Sequence, residues 1–411
     1  MSLLKPKQTL GGKNQTITRG LMTKIFLLLL NLIILDYGAN AQSLFLSGSI
    51  KNAATLQPID QSSLKINHKQ IGTVSNAEGK FMLLTSDLSD ADSLIISCVG
   101  YQTLTLTIGK LKSAETEPVY LIPITFSLNE VTIHQQPISE TLKEAIYATD
   151  ALIPTEDNLK AYYKEYAYLD HKLFKYADAA VNYGINNKDK KTKVTMYVME
   201  SRTKKDSVTK ENKWRSDVES LITPDKALKE YYNLKYLYKF VNAKQLEKYT
   251  FRMQSNGNIS KISIDPKTEV HQYLPNAIIY INTLTKRVIK VEYAYITHLQ
   301  YMPKVNLIFL AYSCEKDSMI SIYSEGEHPF LRYCELKQDI RFKVGSKKGL
   351  LGSIAEVLVH NDNEPQSVSI GNDDIYKKST IFKNGNHFST DFWYKYNTIL
   401  PTGEELKELS F

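Results

Sequence analysis

Leu46-Ser47-Gly48-Ser49-Ile50, Ile71-Gly72-Thr73-Val74, Asn76-Ala77-Glu78-Gly79, Phe81-Met82-Leu83-Leu84 and Ser93-Leu94-Ile95-Ile96-Ser97-Cys98-Val99-Gly100-Tyr101 decide the fold of the first third of the chain. Short apolar runs flank polar residues and a glycine, which is the signature of a β-hairpin. Gly79 suits a turn position with positive φ, and Asn76 can hydrogen-bond the amides of its own turn.

Further on, Thr103-Leu104-Thr105-Leu106-Thr107-Ile108 alternates strictly, so Leu104, Leu106 and Ile108 face a core and the threonines face water. Val119-Tyr120-Leu121-Ile122 adds a last short strand before Pro123. Strands at this spacing predict two aligned sheets packed as a sandwich.

These pieces, with the Thr55 to Pro58 turn and Leu128-Asn129-Glu130-Val131-Thr132-Ile133, resemble the carboxypeptidase-like regulatory domain. That family is a transthyretin-like (prealbumin-like) β-sandwich common in cell-envelope proteins of Bacteroidetes type. The resemblance covers roughly residues 44 to 133. It implies an accessory docking or spacer module with no catalytic residues of its own. The same domain fronts outer-membrane transporters, but this chain is too short for a barrel of around two dozen strands of about ten residues each.

Ahead of the sandwich, Lys24 precedes the eleven-residue apolar run Ile25 to Leu35, and Ala39-Asn40-Ala41 follows. Charge, apolar stretch and small residues stand in the order of a secretory leader, with Ala39 and Ala41 as the cleavage-site pair. The run is shorter than the ~20 residues that span a bilayer, so cleavage is expected and not a membrane anchor. Residues 1–41 are therefore read as a signal peptide, and the location as periplasmic or outer-membrane associated. Lys5, Lys7, Lys13, Arg19, Lys24 and Asp36 belong to it, so only +3 of the +7 net charge stays with the mature chain. Such a balance gives no reason to expect a nucleic-acid partner.

Residues 42–134 form the sandwich, 135–160 a linker and helix, and 161–411 a β-rich domain. In the linker, Leu142, Ala145, Ile146 and Thr149 share one helical face. The tyrosine-rich block Ala161 to Val181 reads as a hairpin with Asp170-His171 at its turn, because strands favour aromatics. Charged tips around Asn187 to Lys191 and Lys204 to Asp206 flank Thr195 to Met199, and Pro224 to Lys248 reads as helical.

Tyr249–Met253, Ile259–Ile264, Ala277–Asn282, Val288–Tyr293, Val305–Phe309 and Ser318–Tyr323 then make a β-meander. Such a meander curls to hide its apolar face. The hairpin through Tyr280 and Val291 resembles units of periplasmic lipoprotein-carrier half-barrels. The expected fold is mainly β: a transthyretin-like sandwich, then an α+β domain on a curved antiparallel sheet or open half-barrel.

The chemistry search finds no catalytic constellation. Eight histidines lack zinc-peptidase spacing, Gly-x-Ser-x-Gly is absent, and Val344 to Gly349 lacks the end of a phosphate loop. Asn361-Asp362-Asn363-Glu364 and Asn372-Asp373-Asp374 do not follow calcium-loop spacing. Glu165, Asp170, His171 and Asp178 are close in sequence, but a hairpin scatters them over both faces. Neither a cofactor nor a metal is expected.

Cys314 and Cys334 lie on strands that look adjacent and either form a disulfide or stay as two free thiols. Near the end, Phe392, Trp393 and Tyr396 serve either as a plug on the sheet or as a sugar-stacking platform. The expected role is non-enzymatic: the sandwich docks, and the curved sheet binds an apolar or extended ligand or a protein partner. An envelope protein, a lipid or a glycan is the expected partner, with membrane association only peripheral. A hydrolase site assembled by the fold and a structural part of an outer-membrane assembly are the other two readings.

Overall fold

Gly79 takes φ +72°, and Asn76 Oδ1 accepts the amides of Glu78 at 3.0 Å and Lys80 at 2.9 Å. A side chain at 79 is barred twice over, since a β-carbon there would stand 2.4 Å from the Ile50 carbonyl oxygen. This turn joins β3 (Gly72–Val74) to β4 (Lys80–Thr85). Around it stand β1 (Leu44–Asn52), β2 (Ser63–Ile66), β5 (Ser93–Ser97), β6 (Leu104–Thr107) and β7 (Val119–Leu121). They form two sheets, β4-β1-β7 and β3-β2-β5-β6. Ile50, Leu64, Ile66, Phe81, Leu83, Leu94, Ile96 and Ile108 fill the space between them. The sandwich expected from the alternating pattern is present.

The computed structural model describes residues 44–409 except 70, 86–87, 114–116, 126–136, 189–190, 206–221, 309, 326–328, 361–374, 378 and 384–390. The leader with Ala39 and Ala41, the Leu128–Ile133 motif and the acidic runs at 361–364 and 372–374 lie outside the described residues.

The second part is one eleven-stranded antiparallel sheet that does not close. Its strands are β8 (Glu156–Leu169), β9 (Lys172–Asn186), β10 (Lys193–Lys205), β11 (Tyr249–Asn256), β12 (Ile259–Pro266), β13 (Asn276–Asn282), β14 (Arg287–Ala294), β15 (Lys304–Asn306), β16 (Leu310–Tyr323), β17 (Leu331–Val344) and β18 (Lys347–His360). The spatial order is β10-β9-β8-β18-β17-β16-β14-β13-β12-β11, with β15 beside β16. Asp170 and His171 both take positive φ, 51° and 68°, in the tight turn between β8 and β9. The expected strand Ser318–Tyr323 is the second half of the longer β16, and β15 overlaps the expected Val305–Phe309.

One face of this sheet is covered by the chain's own helices. In α1 (Ile138–Asp150), Leu142, Ala145, Ile146 and Thr149 are the buried residues, as their spacing predicts. Thr149 Oγ1 accepts the Val288 amide at 2.9 Å, and Asp150 accepts the Leu234 amide at 3.0 Å and the Tyr238 hydroxyl at 2.6 Å. Those bonds tie α1 to β14 and to the 3-10 turn Lys235–Phe240, which lies between α2 (Lys226–Tyr231) and α3 (Ala243–Leu246). Leu228, Tyr232, Leu234, Leu237 and Phe240 then join Val181, Tyr183, Ile262, Ile279, Val291 and Leu331 in one core. The curved sheet was expected to offer its apolar face to a ligand. These helices bury much of that face.

The opposite face of β8, β9, β17 and β18 packs on the sandwich and on the C-terminal segment. Val74 of the sandwich shares a cluster with Tyr162, Ala180, Tyr333, Leu358, Trp393 and Ile399. Asn76 Nδ2 donates to the carbonyls of Leu400 and Pro401 at 3.1 and 3.2 Å, and the Gly403 amide donates to Glu78 at 2.7 Å. Residues Phe45–Phe411 thereby make one compact unit. No helix among the described residues is long and apolar enough to cross a membrane.

Candidate functional site

Cross-strand register places Asn182 of β9 opposite Lys160 of β8, and Lys160 opposite His360 of β18. Next along on β17 comes Arg332, just beyond the Tyr333–Leu358 pair. Alternation turns Leu159, Ala161, Val181, Tyr183 and Val359 towards the helices, so their polar neighbours face the sandwich. The row spans four strands, roughly 14 Å at the ~4.8 Å spacing of neighbouring strands.

Above this floor lies a cleft of about 1960 Å³. Its roof is the outward side of the sandwich sheet, carrying Ser63, Lys65 and Ser97, whose neighbours Leu64 and Ile96 point into the sandwich core. Its rim holds Asn158, Asn186, Asn256, Asn258 and Asn282 from strand ends and turns. Asn186, Asn256 and Asn282 donate to Glu156, the Thr125 carbonyl and Glu325, which leaves Asn158 and Asn258, with the serine and threonine hydroxyls, to meet a ligand bearing hydroxyl groups. Asn182 is only 9% exposed, and its Oδ1 has no hydrogen-bond partner. A buried acceptor without a donor costs free energy, and Asn182 is part of the cleft lining.

The carboxylates around the cleft are already engaged. Glu156 pairs with Lys188 at 2.7 Å, Asp157 accepts the Tyr232 hydroxyl at 3.1 Å, and Glu325 accepts from Asn282 at 2.5 Å. Burial raises the Asp157 carboxyl above its ordinary range, and the Tyr232 hydrogen bond pulls it partly back. Burial likewise holds the Arg332 guanidinium below its ordinary value.

A second concavity, of about 270 Å³, lies between the sandwich, the sheet and the C-terminal segment. Lys164 meets Glu356 at 2.5 Å and Lys337 meets Glu335 at 2.9 Å, while the Tyr333 hydroxyl donates to Glu356 at 2.9 Å. These groups satisfy one another within the sheet, across β8, β18 and β17.

Phe392, Trp393 and Tyr396 gather where the sequence suggested, but they do not line the cleft. Phe392 and Tyr396 stack at 5.0 Å, and the Arg202 guanidinium lies 4.0 Å over the Trp393 ring. Trp393 is 8% exposed, and the Tyr396 hydroxyl donates to the Ala161 carbonyl at 3.0 Å. Trp393 is held by packing, while Phe392 and Tyr396 stay half-buried.

Glu165 and Asp178 point to opposite faces of the hairpin. Glu165 accepts the Tyr163 hydroxyl at 2.7 Å and the Phe382 amide at 3.2 Å. Asp178 accepts the hydroxyls of Tyr162 and Tyr176. These two carboxylates, Asp170 and His171 do not converge.

Cys314 and Cys334 do not pair. Both thiols are free, and the register sets Cys314 opposite Ile340 and Cys334 opposite Ser321, far apart along the same two strands. A disulfide needs α-carbons within about 7 Å.

Residues 46–133 match the family model of the CarboxypepD_reg-like domain, so the N-terminal sandwich is a domain of that kind. The match does not extend into the large sheet. No curated protein matches the chain. Among solved structures, a DUF1329 family protein from Desulfovibrio piger is 10% identical, with 59% of this chain and all of that one (100%) covered at a TM-score of 0.26. A LolA superfamily protein from Nitrosomonas europaea is also 10% identical, covering 54% of this chain and 93% of its own at a TM-score of 0.19. Scores this low carry no argument about ligand or mechanism.

Proposed function

We propose that this protein is an exported, non-catalytic binding protein of the cell envelope, which holds an extended, hydroxyl-rich ligand of the glycan class in the cleft between sandwich and sheet. The buried, unpartnered Oδ1 of Asn182 on the cleft floor carries the reading. Support also comes from the amide-lined rim and from the engagement of Glu156, Asp157 and Glu325 in structural contacts, which leaves them poor acid or base catalysts. The helices that fill the sheet's apolar face argue against a lipid bound there. Export rests on the leader-like sequence Lys24 to Ala41. The sandwich serves as one wall of the site as well as a docking module.

The test is binding of the mature protein to an array of immobilised oligosaccharides, repeated with Asn182→Leu. Binding that the substitution weakens supports the assignment. If no oligosaccharide binds, or if the variant binds all of them as the parent does, the cleft is not the site.

A further inference from the structure

We propose that the cleft selects an acidic glycan, and that Arg332 and Lys65 form the end of the site that receives the sugar carboxylate. This rests on the cleft assignment above and adds the charge of the ligand to it.

Arg332 owes its direction to a β-bulge. Ile322 pairs with Tyr333 and Tyr323 with Leu331, so Arg332 is the extra residue on β17 that faces no partner. A bulge breaks strict alternation and re-aims one side chain, often beside a functional site. Here it sends the guanidinium towards the sandwich. A β-carbon on Gly72 would stand 3.2 Å from Arg332 Nη2 and 2.6 Å from the Leu64 carbonyl oxygen. The glycine therefore leaves the space in which the guanidinium sits. Across the strand pair from Gly72 stands Lys65, a second cation that lines the cleft.

Among the described residues, neither the Arg332 guanidinium nor the Lys65 ammonium has a hydrogen-bond or ion-pair partner. The cleft acids Glu156, Asp157 and Glu325 are occupied elsewhere, as described above. Two unpaired cations from two different layers thus border one end of the cleft. Leaving a guanidinium largely desolvated and unpaired is costly, and an incoming anion offsets that cost. The planar fork of arginine matches the two oxygens of a carboxylate, and the lysine adds a point charge. Asn158 and Asn258 on the rim suit the hydroxyls of neighbouring sugar units.

The experiment measures binding of the mature chain to oligogalacturonate, alginate and hyaluronan oligomers, with fully methyl-esterified oligogalacturonide as the neutral control. Expected is binding of at least one acidic oligomer, weakened about 10–100-fold by Arg332→Gln, as befits loss of a charge-assisted contact. Lys65→Gln, on the sandwich side, weakens the same oligomer and leaves the fold intact by circular dichroism. That second variant keeps the test decisive if Arg332→Gln misfolds. Equal binding of the esterified and free-acid oligomers, or acidic binding untouched by both variants, overturns the proposal while the cleft reading stands. If no oligomer binds, acidic or neutral, both fall.

Discussion

Arg202 of β10 clamps Asp178 of β9, its Nε donating to Oδ1 at 2.9 Å while Nη2 reaches Oδ2. Asp178 is completely buried and also accepts the hydroxyls of Tyr162 at 2.9 Å and Tyr176 at 2.7 Å. The other side of Arg202 lies over Trp393, so a single guanidinium links a strand pair to the C-terminal segment. Replacing Asp178 by Asn leaves that cation partly buried without its counter-charge. The expected cost is about 3–5 kcal/mol, the range for breaking one partner of a buried pair. Urea unfolding of parent and variant checks it, and an unchanged midpoint would refute the role given to the clamp.

Asn397 imitates a strand edge: its Oδ1 accepts the Leu84 amide at 2.7 Å and its Nδ2 donates to the Leu84 carbonyl at 3.1 Å. Asn397→Ala strands both backbone groups of a nearly buried residue, at about 1–3 kcal/mol for each group left unsatisfied. Hydrogen exchange at Leu84 should accelerate, together with its neighbours in β4. Exchange that rises equally throughout the chain would indicate global destabilisation and not a local staple.

Much of the architecture was legible because its strands have one wet face. The Asn76–Gly79 turn and the α1 face of Leu142, Ala145, Ile146 and Thr149 could be read directly. The Ala161–Val181 block could not be read by period, because β8 and β9 are buried on both sides, by helices on one and by the sandwich and C-terminal segment on the other. Alternation then no longer reports which side is inside. The candidate site was illegible for a related reason. Arg332 sits at a bulge, which leaves no mark in the run Leu331-Arg332-Tyr333-Cys334, and Asn182 becomes notable only when its buried oxygen is found without a donor. Cys314 and Cys334 do lie on adjacent strands, but adjacency says nothing of register.

Glu335 makes stability depend on pH in a stated direction. It is 9% exposed, and burial raises its pKa above the ordinary 4.5, with Lys337 opposing the rise and Glu356 adding to it. Below 4.5 both folded and unfolded chains hold the proton, and the group's contribution is full. As pH rises, the unfolded chain releases the proton first, so that contribution is lost up to the higher folded value. Glu335→Gln removes the loss: the variant should match the parent in acid and gain on it towards neutrality. Urea midpoints from pH 4 to 8 test this, and a parent that gains on the variant over that range would contradict it.

The three cysteines give a prediction that separates this fold from a cross-linked one. Cys334 is fully buried in the helix-covered core, while Cys98 and Cys314 are partly exposed. Burial pushes the Cys314 thiol up to about 11 and raises Cys98 as well, so little thiolate is available at neutral pH. Native protein should therefore react slowly with a thiol reagent at Cys98 and Cys314, and Cys334 should react only on unfolding. Denatured without reductant, each chain should yield all three thiols, and reduction should leave its mass unchanged. Recovery of only Cys98 would mean that Cys314 and Cys334 had joined. That in turn would require β16 and β17 to slide by several residues, against the pairing of Ser321 with Cys334 and the apolar side chains that this register buries.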